Sequence, residues 1–275
     1  MTVHPKTHPF HMVNPSLWPL LTSVSALFWA VGMILWGRDI GLTFGQDHLP
    51  VGLWTLIAGS GMLFLSAYGW WRDVVNESMT PDHTQAVKSG LRYGMVLFIL
   101  SELFFFGAFF WAYFSAGLEP TEAIGRVWPP EGMKTFHPAD IPFFNTLLLL
   151  LSGTTITWAH AHLLDGAIEK AARMTAITVA LGLFFTAMQG IEYAHCPFSI
   201  GDNIYASVFF IATGFHGIHV IVGTIFLGVC YLRLRKGHFT PTDHFGFEAA
   251  AWYWHFVDVV WLFVFISIYC WGRAS

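Results

Sequence analysis

Tyr93 to Leu118 reads YGMVLFILSELFFFGAFFWAYFSAGL, 26 residues with a single charge, Glu102. A hydrocarbon layer about 30 Å thick is crossed by about 20 apolar residues wound as α-helix, so this stretch is long enough to span one. In lipid every backbone N–H and C=O must find an internal partner, and a helix meets that demand within one segment. The stretch is therefore read as a membrane-spanning helix.

Six more stretches pass the same test, giving spans at about 16–36, 50–71, 93–118, 141–164, 174–191, 203–232 and 249–272. Of the 17 acidic and 13 basic residues, only Glu102 and Asp258 fall inside them. The chain is 55% hydrophobic and 11% charged, against about 25% charged for a soluble globular protein. The ten-residue alternation of an outer-membrane barrel is absent. The expected fold is an all-α membrane protein of seven transmembrane helices.

Lys6, Arg72, Lys88, Arg92, Lys170, Arg173, Arg233, Arg235 and Lys236 fall on one side of such a bundle, and Arg38, Arg126, Lys134 and Arg273 on the other. The positive-inside rule then puts the N-terminus inside and the C-terminus outside. Trp18, Trp36, Trp54, Trp70, Trp71, Trp158, Trp252 and Trp271 lie near span ends, as an interfacial aromatic belt requires. Met1 to Pro15 is polar and His-rich with no basic start, so the first span is expected to be an anchor rather than a cleaved signal. Two longer connections are expected: an outer loop at about 119–140 carrying Trp128-Pro129-Pro130-Glu131-Gly132, and an inner linker at about 72–92 holding Glu77 and His83.

A carboxylate at mid-bilayer costs several kcal/mol as an ion and demands a partner, water or protonation. Glu102, in Leu100-Ser101-Glu102-Leu103-Phe104, is expected to be largely neutral, as a proton-handling group or as a hydrogen bond between helices. His255 and Asp258, three apart on one helical face, are expected to form a structural polar pair. His216 and His219 lie three apart in span six, and His160 and His162 near the end of span four; ligation of haem or metal and hydrogen bonding across closely packed helices are both open for them. Trp70-Trp71-Arg72-Asp73 and Arg233-Leu234-Arg235-Lys236, at the inner ends of spans two and six, suit anionic lipid headgroups or ordinary snorkelling anchors.

A formal charge of -4 leaves no basic excess for nucleic acid. Cys196, Cys230 and Cys270 lie far apart without a metal-binding spacing, and no HExxH, GxGxxG, P-loop or GxSxG motif occurs. Three functions stay open on the residues alone: a non-catalytic lipid-holding subunit, a haem- or metal-bearing oxidoreductase built on His160, His216, His219 and His255, and a proton channel built on Glu102.

The run Phe245-Gly246-Phe247-Glu248-Ala249-Ala250-Ala251-Trp252-Tyr253-Trp254-His255-Phe256-Val257-Asp258-Val259-Val260-Trp261 closely resembles subunit III of haem-copper cytochrome c oxidases. So do His11-Met12-Val13-Asn14-Pro15-Ser16, Trp70-Trp71-Arg72-Asp73-Val74, Gly90-Leu91-Arg92-Tyr93-Gly94-Met95, Ser101-Glu102 and Trp128-Pro129-Pro130. The resemblance covers nearly the whole chain. It implies a single integral-membrane domain over 1–275, with a two-helix part at about 16–71 splayed from a five-helix part at about 89–272 around a cleft that holds phospholipids.

The resemblance further implies a non-catalytic subunit of an aa3-type oxidase, docked on subunit I with subunit II in the same complex. That complex passes electrons from cytochrome c to oxygen and pumps protons. Haem a, haem a3, CuB and CuA belong to the partner subunits and none to this chain. Trp70, Trp71, Glu77, His83, Arg233, Lys236 and Phe245 match positions lining the lipid cleft, with Arg72 and His244 counted beside them. Glu102 matches the family's carbodiimide-reactive glutamate. His4, His8 and His11 are expected to collect protons at the surface, since an imidazole near its ordinary pKa exchanges them at neutral pH. The expected location is a bacterial inner membrane, with the mitochondrial inner membrane as the alternative.

Overall fold

The computed structural model describes residues 15–38, 42–44, 47–80 and 83–273. His4, His8 and His11 therefore lie outside the described residues. Among the described residues, seven helices are long and apolar enough to cross a membrane: α1 (Trp18–Gly37), α2 (Val51–Glu77), α3 (Gln85–Leu118), α4 (Ile141–Leu164), α5 (Ile168–Ala194), α6 (Ile204–Arg235) and α7 (Phe245–Val264), the last continuing as a π-helix over Phe265–Trp271. A short antiparallel hairpin, β1 (Leu42–Phe44) with β2 (Asp47–Leu49), joins α1 to α2. The chain divides into two compact units, Met1–Gly90 and Leu91–Ser275.

In the first unit α1 and α2 meet backbone to backbone, and glycine makes that approach possible. A Cβ on Gly59 would stand 2.5 Å from the Trp29 nitrogen; one on Gly32 would meet the main chain of Leu56, and one on Gly52 that of Trp36. These pairs step along one antiparallel register, and Gly69 continues it by seating the Trp18 ring. The Trp18 indole donates to Asp73 Oδ2 at 2.5 Å, closing the open end of the helical hairpin. Without a hydrophobic drive between helices in lipid, contact of this kind is what holds them together.

In the second unit α4, α5, α6 and α7 pack in sequence and α7 returns to α4, closing a four-helix bundle. Its centre is aromatic. The Trp254 ring fills a slot where Cβ atoms on Gly182 and Gly223 would come within 2.7 and 2.9 Å of it. Its indole nitrogen donates to Ser152 Oγ at 2.9 Å, and that of Trp261, two turns along α7, to Thr146 Oγ1 at 2.9 Å. Both bonds run from α7 to α4, so the polar edge of each buried tryptophan fixes one helix against the other.

α3 joins this bundle through side chains. Phe106 and Tyr113 are buried, with Phe105, Phe109 and Phe110 around them in contact with rings of α6 and α7. The loop after α3 returns Trp128 to this end, 5.4 Å from the ring of Tyr113 and 5.2 Å from that of Tyr205. The linker read from sequence as 72–92 is far shorter here, because α2 runs on to Glu77 and α3 starts at Gln85. Polar residues end an apolar window without ending a helix.

Candidate functional site

Three polar ties run along α3. Near its start, Arg92 places both Nε and Nη2 on Glu248 Oε2 of α7, at 3.0 and 2.9 Å. At its centre, Glu102 Oε2 lies 2.8 Å from His219 Nε2 of α6, and the His219 Nδ1 is 2.7 Å from the Phe215 carbonyl oxygen one turn back. Near its end, the Tyr113 hydroxyl donates to the Ser267 carbonyl at 3.0 Å. The side chains of Glu102 and His219 are 22% and 11% exposed, so the pair is screened mainly by the rings of Phe105, Phe106 and Tyr253.

Glu102 thus has a partner that its own segment does not reveal. If His219 donates to the Phe215 carbonyl through Nδ1, its Nε2 either accepts from a protonated Glu102 or, as imidazolium, donates to the carboxylate. The geometry allows a proton to sit on either side of one short bond.

His255 and Asp258 share a face of α7, with Nδ1 to Oδ2 at 3.7 Å, and each reaches α4 separately. His255 Nε2 is 3.2 Å from Thr157 Oγ1, and Asp258 Oδ2 occupies the space that a Cβ on Gly153 would need. Asp258 Oδ1 is buried with no hydrogen-bond partner among the described residues.

His216, His160 and His162 sit in separate surroundings. His216 is 1% exposed, wedged against Trp261 and Phe185 with Nε2 3.2 Å from the Val257 carbonyl oxygen. His160 lies 5.3 Å from His244, ring to ring, and His162 stacks on Trp158. Among the described residues, no group of three or more His, Cys, Asp or Glu side chains is arranged to hold a metal ion.

The residues matched to a lipid site fall in both units. In the first, Trp70, Trp71 and Arg72 are exposed on the last turns of α2, with Glu77 at its end and His83 just before α3. In the second, Arg233, Lys236, His244 and Phe245 gather where α6 gives way to α7. The Arg233 guanidinium carbon sits 4.4 Å above the Phe239 ring, and His244 Nδ1 is 3.0 Å from the Thr240 carbonyl oxygen. In the same turn, partial burial, with Arg233 and Lys236 nearby, holds the His238 imidazole below its ordinary pKa.

One buried carboxyl escaped the reading of the sequence. Glu192 is fully buried near the end of α5, taking a 2.6 Å bond from the Tyr269 hydroxyl and a 3.2 Å bond from the Gln189 amide. The Gln189 carbonyl oxygen in turn lies 3.5 Å from the Asn145 amide. The apolar window of span five closes at 191, one residue short. The Gln189-Glu192 spacing, which puts both on one helical face, was the available signal.

The family model for cytochrome c oxidase subunit III matches residues 8–273 of this chain. Cytochrome c oxidase subunit 3 of Marchantia polymorpha is 54% identical to it over 266 residues, 96% of this chain and 97% of that protein. The proteins of the same name from Damaliscus lunatus and Danio rerio are 51% and 49% identical, each over 97% of this chain and 98% of the relative.

Proposed function

The chain belongs to the cytochrome c oxidase subunit III family, and on that premise we propose that it is the non-catalytic, lipid-holding subunit of an aa3-type oxidase. In this reading it docks on subunit I, with subunit II in the same complex, and shields subunit I from lipid and water. It keeps structural phospholipids in place and supports proton uptake while the complex moves electrons from cytochrome c to oxygen. Haem a, haem a3, CuB and CuA are assigned to the partner subunits.

One observation carries the reading. In the second unit four ionisable groups inside the spans are engaged helix to helix: Glu102 with His219, His216 with the Val257 carbonyl, His255 with Thr157, and Glu192 with Tyr269. Groups so engaged lock a scaffold together. The outward faces are broadly apolar, with Phe104, Trp111 and Val259 each more than 60% exposed, as suits a chain covered by lipid and by neighbouring subunits.

The lipid role draws on the exposed Trp70, Trp71 and Arg72 with Glu77 and His83, and on the cationic turn of Arg233 and Lys236 with His244 and Phe245. Indoles fill acyl space while guanidinium and ammonium groups attract phosphate. We further propose that helices α1 and α2 splay from the other five around the lipid cleft within one membrane domain. The N-terminus would face the inner compartment, with His4, His8 and His11 collecting protons there. The membrane is a bacterial inner membrane, or alternatively a mitochondrial one.

The decisive experiment purifies the oxidase with and without this chain. Phospholipid per haem, proton-uptake rate and the duration of oxygen consumption are then measured side by side. All three should fall without the chain while the visible spectrum of the haems persists. Unchanged lipid content together with undiminished, sustained turnover would overturn the reading.

A second reading has a specific observation behind it: the short Glu102–His219 bond is fit to exchange a proton. Reconstituting the chain alone and measuring proton flux tests it, since a channel would conduct and lose conduction in Glu102→Leu.

A further inference from the structure

We propose that Glu192 is a proton-binding site: a carboxylic acid that stays loaded at neutral pH and forms an uncharged joint between α4, α5 and the π-helical end of α7. The inference stands apart from the subunit reading, since it concerns bonds within this chain.

Glu192 is fully buried by this chain alone, so no lipid or neighbouring subunit is needed to take it out of water. Its partners come from all three elements. Tyr269, in the π-helical stretch, donates to Oε1 at 2.6 Å, and Gln189, one turn back on α5, donates to the same atom at 3.2 Å. Asn145, early in α4, reaches Gln189 at 3.5 Å. The rings of Phe136, Phe209 and Trp261 pack on Tyr269 and close the site.

A carboxylate in this place would lack the compensation that a buried charge requires. The titratable groups within electrostatic reach are Tyr269, Tyr193 and Cys196, none of which can carry a positive charge. Among the described residues no Lys, Arg or His forms an ion pair with Glu192. His195, the imidazole nearest in sequence, is exposed and turns its Nδ1 to the Ile191 carbonyl at 2.8 Å. The backbone adds to the imbalance. Glu192 lies in the last turn of α5, where unpaired carbonyls give a helix its partial negative charge. An anion so placed is strongly disfavoured, and one bound proton removes the charge.

The acid form also accounts for the hydrogen bonds. Oε1, as the carbonyl oxygen, keeps the two bonds that it accepts. Oε2 and Asn145 Oδ1 are both buried acceptors with no hydrogen-bond partner among the described residues. A proton on Oε2 turns it into a donor, in the same run of side chains that leaves the Asn145 oxygen in need of one. Glu102 faces an imidazole that can share its proton, whereas Glu192 faces phenols and amides, so this second site holds its proton and does not pass it on.

Infrared spectroscopy of the full chain, purified in its complex with isotope-labelled glutamate, reads the proton directly. At neutral pH, wild type minus Glu192→Gln should leave the C=O stretch of a protonated carboxyl, and that band should move to lower frequency in D2O. Glu102 contributes to both spectra and cancels. A carboxylate band in that difference overturns the proposal. Glu192→Gln, an uncharged isostere of the acid, should be retained in the complex at the wild-type level. Should it be lost, Tyr269→Phe decides in a chain that keeps the carboxyl. Removing the hydrogen bond to Oε1 should raise the frequency of the protonated C=O band, and a change confined to carboxylate bands overturns the proposal.

Discussion

His219 Nε2 lies 2.8 Å from Glu102 Oε2, which makes a carboxyl on α3 and an imidazole on α6 one unit. Neither is isolated in the apolar layer: one nitrogen of His219 faces the carboxyl while the other faces a carbonyl of its own helix. The pair is the middle of three ties that hold α3, and its behaviour depends on both members.

His219→Phe should raise the rate at which a hydrophobic carbodiimide labels Glu102 several-fold, because the substitution frees the carboxyl oxygen that the imidazole engages. Mass spectrometry of the labelled peptide reads the change. An unaltered labelling rate would mean that the bond does not govern access to Glu102.

Gly59 and Gly61 form a matched pair in α2. A Cβ on Gly59 meets the main chain of Trp29, whereas one on Gly61 meets nothing within 4 Å. Gly59→Ala should destabilise the α1–α2 hairpin by about 1–3 kcal/mol and Gly61→Ala by none, or even stabilise it slightly. Thermal inactivation of the two variants, compared with wild type, checks this.

Ser152→Ala removes the acceptor of the buried Trp254 indole. The unpaired N–H should cost about 1–3 kcal/mol, while Thr154→Ala on the exposed side of the same helix should cost far less. Denaturant midpoints in detergent give the comparison, and equal losses would show that the indole bond contributes nothing.

Arg92 and Glu248 are 42% and 17% exposed at the side chain, so solvent screens part of their attraction. A double-mutant cycle with Arg92→Gln and Glu248→Gln should give a coupling of about 1 kcal/mol that shrinks with added salt. Coupling that is zero at low salt would remove this tie from the account of α3.

Burial and two nearby cations disfavour the charged form of His238, so its folded pKa lies below its unfolded one. The unfolded chain then binds the proton more readily, and the contribution of His238 to stability is complete above about pH 6.5 and lost as pH falls through the folded pKa. An NMR titration should place its midpoint below 6.5, and His238→Gln should flatten that part of the stability profile. A midpoint above 6.5 would reverse the sign.

The seven helices were legible because lipid imposes one demand, apolar length, which needs no knowledge of neighbours. Their ends were less so: Arg72 to Glu77 looked like linker, since charge marks where hydrocarbon stops and says nothing about where hydrogen bonding stops. The β1–β2 hairpin is too short for alternation to register. Glu102 and His219 could each be singled out as polar residues at mid-span, but periodicity reveals only which residues share a face of one helix. Pairing across 117 positions depends on how helices assemble. Glu192 lies one residue beyond the apolar window that ends at 191, and Gly153 is silent for another reason, since a missing side chain has no signal until the atom filling its place is known.

The register of α1 on α2 has a mechanical corollary. Where main chain rests on main chain at Gly32, Gly52 and Gly59, sliding one rod by a turn would drive side chains of the partner into positions that hold none. The hairpin has one seat, latched at its far end by Trp18 and Asp73. A displacement of either rod along its axis is therefore resisted by the other, and the pair holds one relative position.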